Sequence, residues 1–180
     1  TRVNVDVRIY RRTPVGKLGI APLTSMFFHG ENTKRWFDDF RPEVHDSDGL
    51  LLSLNNGEWM WRPLDNPERL SLNAYAAEGL RGFGILQRDR NFASYQDLET
   101  HEEMRPSIWV EPRGEWGEGH VELVEIPTGA DYNDNAVAFW VPKLQPDSTG
   151  PIGFSYTTYW FGDDPARPPD GRTGVTRRET

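Results

Sequence analysis

Residues 1–10 read TRVNVDVRIY, and residues 136–142 read AVAFWVP. In the first stretch Val3, Val5, Val7 and Ile9 alternate with Asn4, Asp6, Arg8 and Tyr10, a period of two that marks a half-buried strand. The second is a short run of β-formers bounded by polar residues and a proline. The same signature recurs outward from both. Ile20–Phe28 (IAPLTSMFF) is a mostly apolar, buried stretch, and Leu50–Leu54 is a short strand closed by the hairpin turn Asn55-Asn56-Gly57. Glu58–Pro63 (EWMWRP) puts Trp59 and Trp61 on one face and Glu58, Met60 and Arg62 on the other. Leu70–Tyr75, Gly79–Gln87, Ile108–Pro112, His120–Pro127 and Phe154–Phe161 complete the series. Asn91–Met104, with Phe92, Tyr95 and Leu98 at helical spacing, is the best candidate for a short helix. A helical turn is expected around Trp36 and Phe37. Short strands with regularly spaced turn signals predict an all-β, antiparallel sandwich or barrel.

The chain has 180 residues, the length of one domain and enough for a core. Its 20 basic and 28 acidic residues give a net charge of -8. Phosphate-backbone binding needs basic patches, so nucleic acid is not an expected partner. Anionic membrane surfaces are disfavoured for the same reason. No apolar run is long enough to cross a membrane as a helix, so membrane insertion is not expected. With no cysteines, disulfides, thiolate metal sites and a cysteine nucleophile are excluded. The first residues alternate and carry charge, unlike the apolar core of a secretory signal. The chain reads as starting inside a strand and ending in a polar tail, GDDPARPPDGRTGVTRRET, which predicts a fragment of a longer protein.

Two polar loops carry the chemistry. Arg41–Leu50 (RPEVHDSDGL) packs Glu43, His45, Asp46 and Asp48 between a proline and a glycine, which are depleted from strand interiors. Thr128–Asn135 (TGADYNDN) is the second. Tryptophan-bearing strands lie between them. Carboxylate loops with intervening tryptophans point to a site that grips sugar and does acid/base work on it. Aromatic rings offer flat apolar faces to sugars, and the chain has 7 Trp, 6 Tyr and 9 Phe. The competing reading is two ordinary surface turns, since Asp, Asn and Gly favour turns. Candidate stacking residues are Trp59, Trp61, Trp109 and Trp116. Glu58, Arg62 and Glu111 are polar neighbours for sugar hydroxyls. Trp116, in a glycine-flanked turn, reads as the least core-like of the four.

Other motifs carry less. Asp46-Ser47-Asp48-Gly49 echoes half a calcium loop but lacks its closing glutamate. Gly79–Gly84 lacks the order and context of a nucleotide fingerprint. His29, His45, His101 and His120 show no metal-ligand spacing. No cofactor and no metal are expected.

Six stretches in this order carry a resemblance: KLGIAPLTSMFFHGEN (17–32), DDFRPEVHDSDGL (38–50), NGEWMWRPLDNP (56–67), RGFGILQRDRNFASYQDLE (81–99), RPSIWVEPRGEWGEGHVELVEIPT (105–128) and NDNAVAFWVP (133–142). The chain closely resembles the bacterial periplasmic glucan biosynthesis proteins G and D over residues 1–143. The resemblance implies a periplasmic location and a galactose mutarotase-like β-sandwich, of which 1–143 would be the C-terminal part. Residues 144–180 would then be a final strand and a polar tail towards an immunoglobulin-like domain. It implies action on β-1,2-linked glucan, by an inverting hydrolase-like mechanism, with a membrane glucan synthase as a further partner. Non-catalytic glucan binding or scaffolding, and transglycosylation, are the alternatives. By resemblance Asp134, in the NDN motif, is the general acid. Asp46, in the HDS motif, is the general base acting on water through a relay. Glu102 stands where the family often has a tyrosine near the site, a departure that bears on the relay. A base should keep a low pKa, and Asp134 is expected to be partly buried against the strand that follows it.

Overall fold

The structure is a computed structural model and describes residues 1–33, 38–143, 150–163, 167–169, 171, 173–174 and 176–177. The expected turn around Trp36 and Phe37 lies outside the described residues. Among the described residues twelve strands appear in order: β1 Arg2–Ile9, β2 Ile20–Ser25, β3 Phe27–His29, β4 Val44–His45, β5 Gly49–Leu54, β6 Trp59–Pro63, β7 Ser71–Ala76, β8 Leu80–Leu86, β9 Ser107–Pro112, β10 Gly119–Glu125, β11 Ala136–Pro142 and β12 Ile152–Phe161. A one-turn helix α1, Phe92–Tyr95, and a 3-10 turn, Glu102–Met104, lie between β8 and β9. The helical pattern of 91–104 is thus realised only at its two ends. Gln96 and His101 adopt positive φ between them, which no helix continues through.

The strands form an antiparallel sandwich. One sheet has the order β1-β12-β9-β8-β5-β6, the other β2-β11-β10-β7, with β3-β4 as a small two-stranded extension. Strand β12 lies between β1 and β9, so residues 152–161 belong to the sandwich. The core sits between the sheets. Leu50, Leu52, Phe83, Ile85 and Val110 from the larger sheet meet Leu23, Val121, Leu123, Ala138 and Trp140 from the smaller one. Each large side chain buried this way contributes roughly 1.5–3 kcal/mol.

Strand β5 shows why its sequence fails to alternate. Leu50 and Leu52 enter the core, while Leu51 on the opposite face joins Leu86 and Trp109 in a second apolar cluster edged by Trp59, Trp61, Tyr159 and Phe161. The larger sheet therefore carries an aromatic outer face. Its glycines make room for the rings: a Cβ at Gly82 would lie 2.3 Å from the Trp109 indole, and one at Gly49 would lie 2.4 Å from Trp61. The glycine-rich stretch of β8 is a packing notch for Trp109.

Candidate functional site

The first carboxylate loop is anchored by a two-residue strand, where the sequence led us to expect loop alone. Val44 and His45 pair with β3, and the Asp46 amide donates to the Met26 carbonyl at 2.9 Å. His45 turns inward, its ring stacked on Phe27 at 5.1 Å. Asp46 lines an open cleft of about 400 Å³, bordered by Thr24 and Ser25 of β2, by Arg105 and Ile108 before and within β9, and by Trp160 of β12. Asp134 lines the same cleft. The fold thus brings the two aspartates together from loops far apart in sequence.

Asp46 is partly enclosed, its side chain 29% exposed. Burial raises its pKa; Arg105 opposes the rise, and the Glu102 and Asp134 carboxylates add to it, so the net direction is up. The expectation that this aspartate keeps a low pKa is therefore corrected. The physical reason is desolvation beside two like charges. A raised pKa also makes a stronger base, provided the group stays ionised at working pH. The Arg105 Nε lies 2.9 Å from Asp46 Oδ1, but that oxygen has no hydrogen bond of acceptable geometry. The contact is a charge contact, which leaves Asp46 less restrained than a bidentate pair would. Glu102 is 2% exposed, and its Oε2 has no hydrogen-bond partner.

Asp134 is exposed, not partly buried as expected. Its neighbour takes the buried position. Asn135 is 2% exposed and replaces a missing strand for β3: its Oδ1 accepts from the Phe27 amide at 2.8 Å, and its Nδ2 donates to the Phe27 carbonyl at 2.9 Å and the Ile126 carbonyl at 3.1 Å. A side-chain amide can do this because it presents a C=O and an N–H as a peptide does. With Asn135 pointing in, Asp134 points out to the cleft. Asn133 fixes the other side by donating to Thr128 Oγ1 at 3.1 Å. Asp131, the competing acid in this loop, is held by Arg41 at 2.8 Å. Arg41 also reaches Asp39 at 2.8 Å and Asp97 at 3.1 Å, which ties this loop to the first carboxylate loop and to the segment after α1.

Sequence comparison supplies the family. The model of the family described as "Periplasmic glucan biosynthesis protein, MdoG" matches residues 1–180. This chain belongs to that family. The "Glucans biosynthesis protein G" of Sodalis glossinidius is 54% identical over 164 residues, covering 91% of this chain and 31% of the relative. That of Pseudomonas aeruginosa is 50% identical over 162 residues, covering 90% and 31%. That of Ralstonia nicotianae is 51% identical over 178 residues, covering 99% and 35%. The chain thus spans about a third of the length of these relatives. The family name carries a periplasmic location. Among the described residues, no helix is long and apolar enough to cross a membrane.

The other candidates of this MdoG-family chain fall into three places. Trp59, Trp61 and Trp109 share the outer aromatic face, away from the cleft; Trp59 and Trp109 stack at 5.8 Å. Arginines cover two of these rings: Arg88 lies 3.6 Å from the Trp61 centroid, and Arg167 5.8 Å from that of Trp109. Glu111, on the same face as Trp109, lies 4.0 Å from Arg167. Arg62 pairs instead with the buried Glu125 at 3.0 Å, and Glu58 is exposed in the hairpin turn, bonded to Asn56. Trp116 belongs to the core between the sheets, correcting its reading as the least core-like of the four. It is 9% exposed, packs on Trp140, Phe154 and Tyr156, and donates its indole N–H to the Ser155 carbonyl at 3.1 Å. Its turn folds inward over the open edge of the core. Arg105 and Trp160 line the cleft without having been singled out. Each sits in an ordinary sequence context, and only sheet order brings β12 and the start of β9 beside Asp46.

Beneath Asp46 lies a second group. His45 Nε2 is 2.9 Å from Glu43 Oε2 and 3.8 Å from Asp48 Oδ1. Its Nδ1 is 3.0 Å from Gln87 Oε1. Gln87 in turn donates its Nε2 to the His45 carbonyl, Tyr95 Oη and the Glu102 carbonyl at 3.0, 2.8 and 3.2 Å. That fixes the amide orientation, so the Gln87 oxygen accepts and His45 Nδ1 carries a proton. Burial alone lowers the His45 pKa, but the Glu43 hydrogen bond and the Asp48 charge outweigh it, and the net direction is up.

Proposed function

We propose that the cleft processes a periplasmic glucan with a β-1,2-linked glucose backbone, by inverting hydrolysis with Asp134 as general acid and Asp46 as general base. The observation that carries the reading is the convergence of these two aspartates on one open cleft beside Trp160. Cleaving a glycosidic bond needs a proton delivered to the leaving oxygen and a base to activate water on the opposite face. Asp134 is exposed on the cleft, where a sugar oxygen can reach it. Asp46 is already partly desolvated, which strengthens it as a base. Glu102 is the candidate to connect water to Asp46, since one of its oxygens is buried without a partner. The aromatic face and a membrane glucan synthase are secondary contacts in this reading.

A second reading, glucan binding without turnover, is favoured by one feature: Glu102 is a carboxylate where the family often has a tyrosine, and it adds like charge beside Asp46. The test uses the full-length protein and linear β-1,2-glucan, with product analysis. Shorter oligosaccharides support hydrolysis. Lengthened or branched products mean transfer, and unchanged polymer with measurable affinity means binding only. Asp134→Asn and Asp46→Asn should each lower turnover by roughly 10²–10⁴-fold with glucan binding retained. Full activity in either variant removes that residue from its role.

A further inference from the structure

We propose that Glu43, His45 and Asp48 form a binding site for one divalent metal ion of the zinc or manganese type, seated under the Asp46 loop. The three ligand atoms, Glu43 Oε2, His45 Nε2 and Asp48 Oδ1, lie within 4.8 Å of one another. Ligands about 2.1 Å from a zinc ion stand about 3.4 Å apart in a tetrahedral array. The observed His45–Glu43 and His45–Asp48 separations, 2.9 and 3.8 Å, bracket that value. Two carboxylates and one imidazole are an oxygen-rich mixed set that suits zinc and manganese.

Two observations independent of the ligand cluster favour an ion. The first is the space. These residues line a cavity of about 20 Å³, together with Phe27, Trp61 and Asn32. That is room for a single water-sized particle and far too little for a sugar ring. The second is the orientation of the histidine from behind. Gln87, held by three acceptors of its own, takes the His45 Nδ1 proton and presents Nε2 to the two carboxylates. A metal-bound histidine is held in this way, with its other ring nitrogen donating to an outer partner. Arg88 on the cavity wall places its guanidinium over the Trp61 ring and donates to the Thr173 carbonyl at 2.7 Å. Glu43 and His45 are almost wholly buried, so an ion here would brace the segment that carries Asp46.

The sequence did not mark this site because ligands at positions 43, 45 and 48 follow no familiar motif spacing. The inference is independent of whether the cleft cleaves glucan. The test is calorimetric titration of the chelator-treated protein with zinc chloride and, separately, manganese chloride at neutral pH, joined to zinc-edge X-ray absorption. One equivalent bound by nitrogen and oxygen alone, at about 2.0–2.2 Å, is expected. Asp48→Asn keeps an acceptor for the Arg88 and Asp89 amides but removes the ligand charge. It should weaken binding by at least the 10–100-fold typical of losing even an outer-shell partner, roughly. No binding of either ion by protein with native circular dichroism would overturn the proposal and leave a histidine bridged by its own proton. Binding unaffected by Asp48→Asn would also overturn it, by placing the ion elsewhere.

Discussion

Replacing Asn135 by alanine removes the side chain that completes β3. Three main-chain groups lose their partner: the Phe27 N–H, the Phe27 C=O and the Ile126 C=O. The two Phe27 contacts are buried, whereas Ile126 is 44% exposed and water can replace its bond. A buried main-chain group left unpaired costs about 1–3 kcal/mol. Two such groups, plus a small term for the third, give about 3–4 kcal/mol for Asn135→Ala. In a domain of this size 1 kcal/mol moves Tm by about 2–4 °C, so a fall of about 10 °C is expected in thermal unfolding followed by circular dichroism. Asn135→Asp is the sharper variant. It preserves shape and keeps an acceptor for the Phe27 N–H, but sets a carboxylate oxygen against the Phe27 carbonyl. It should lose at least as much at neutral pH. Because Asn135 aims Asp134 at the cleft, the proposed hydrolysis predicts that either variant also lowers glucan turnover with Asp134 untouched. A Tm within about 2 °C of the parent would refute the account of β3 as a strand completed by one side chain.

Three further outcomes follow from the geometry. Trp116→Ala should cost about 3–5 kcal/mol, as for other buried tryptophans, with glucan affinity unchanged; weakened affinity at an unchanged Tm would return Trp116 to the binding surface. Gly82→Ala drives a methyl group to within 2.3 Å of the Trp109 indole, and should cost about 1–3 kcal/mol and alter tryptophan fluorescence; an unchanged Tm would mean the notch is not tight. The Arg41 cluster predicts acid sensitivity: burial opposes ionisation of Asp97, but the Glu99 and Thr100 amides and Arg41 outweigh it and hold the pKa at about 2, below the ordinary aspartate range. Asp39 is also lowered, by Arg41. A depressed folded pKa gives stability that is full above the unfolded value and is lost as pH falls from about 4 towards 2, here about 2 kcal/mol for Asp97. Among the described residues, Asp131 also pairs with Arg41, and the His29 ring lies 3.9 Å from Asp39. Urea unfolding at pH 5 and pH 2.5 tests this; Arg41→Met should shrink the difference by the Arg41 share and leave the part that the Glu99 and Thr100 amides hold.

Strand content was legible in the sequence because period-two patterning is local. Residues 136–142 become β11 without shift, and Val3–Ile9 lies within β1. The leucine run of β5 was legible as a strand, but which leucines face the core was not, since a strand buried on both faces has no alternation to read. The helical spacing of 91–104 misled because Phe92 and Leu98 stay exposed, so no apolar stripe is buried to support a helix. The two aspartates could be named from motif and resemblance. Their environments could not. Asp134 is exposed because Asn135 claims the buried position, and Asp46 is enclosed beside Arg105, which precedes β9, and Trp160 of β12, both far away in sequence. Trp116 lies in the core because its turn folds over the sandwich edge, and sequence spacing says nothing of that. By itself, then, the sequence determined the strands, the family and the residues able to do chemistry, since these rest on neighbouring positions. Which carboxylates share a cleft, which are neutralised by Arg41 and which surround His45 was decided by sheet order, because charge and burial act through space.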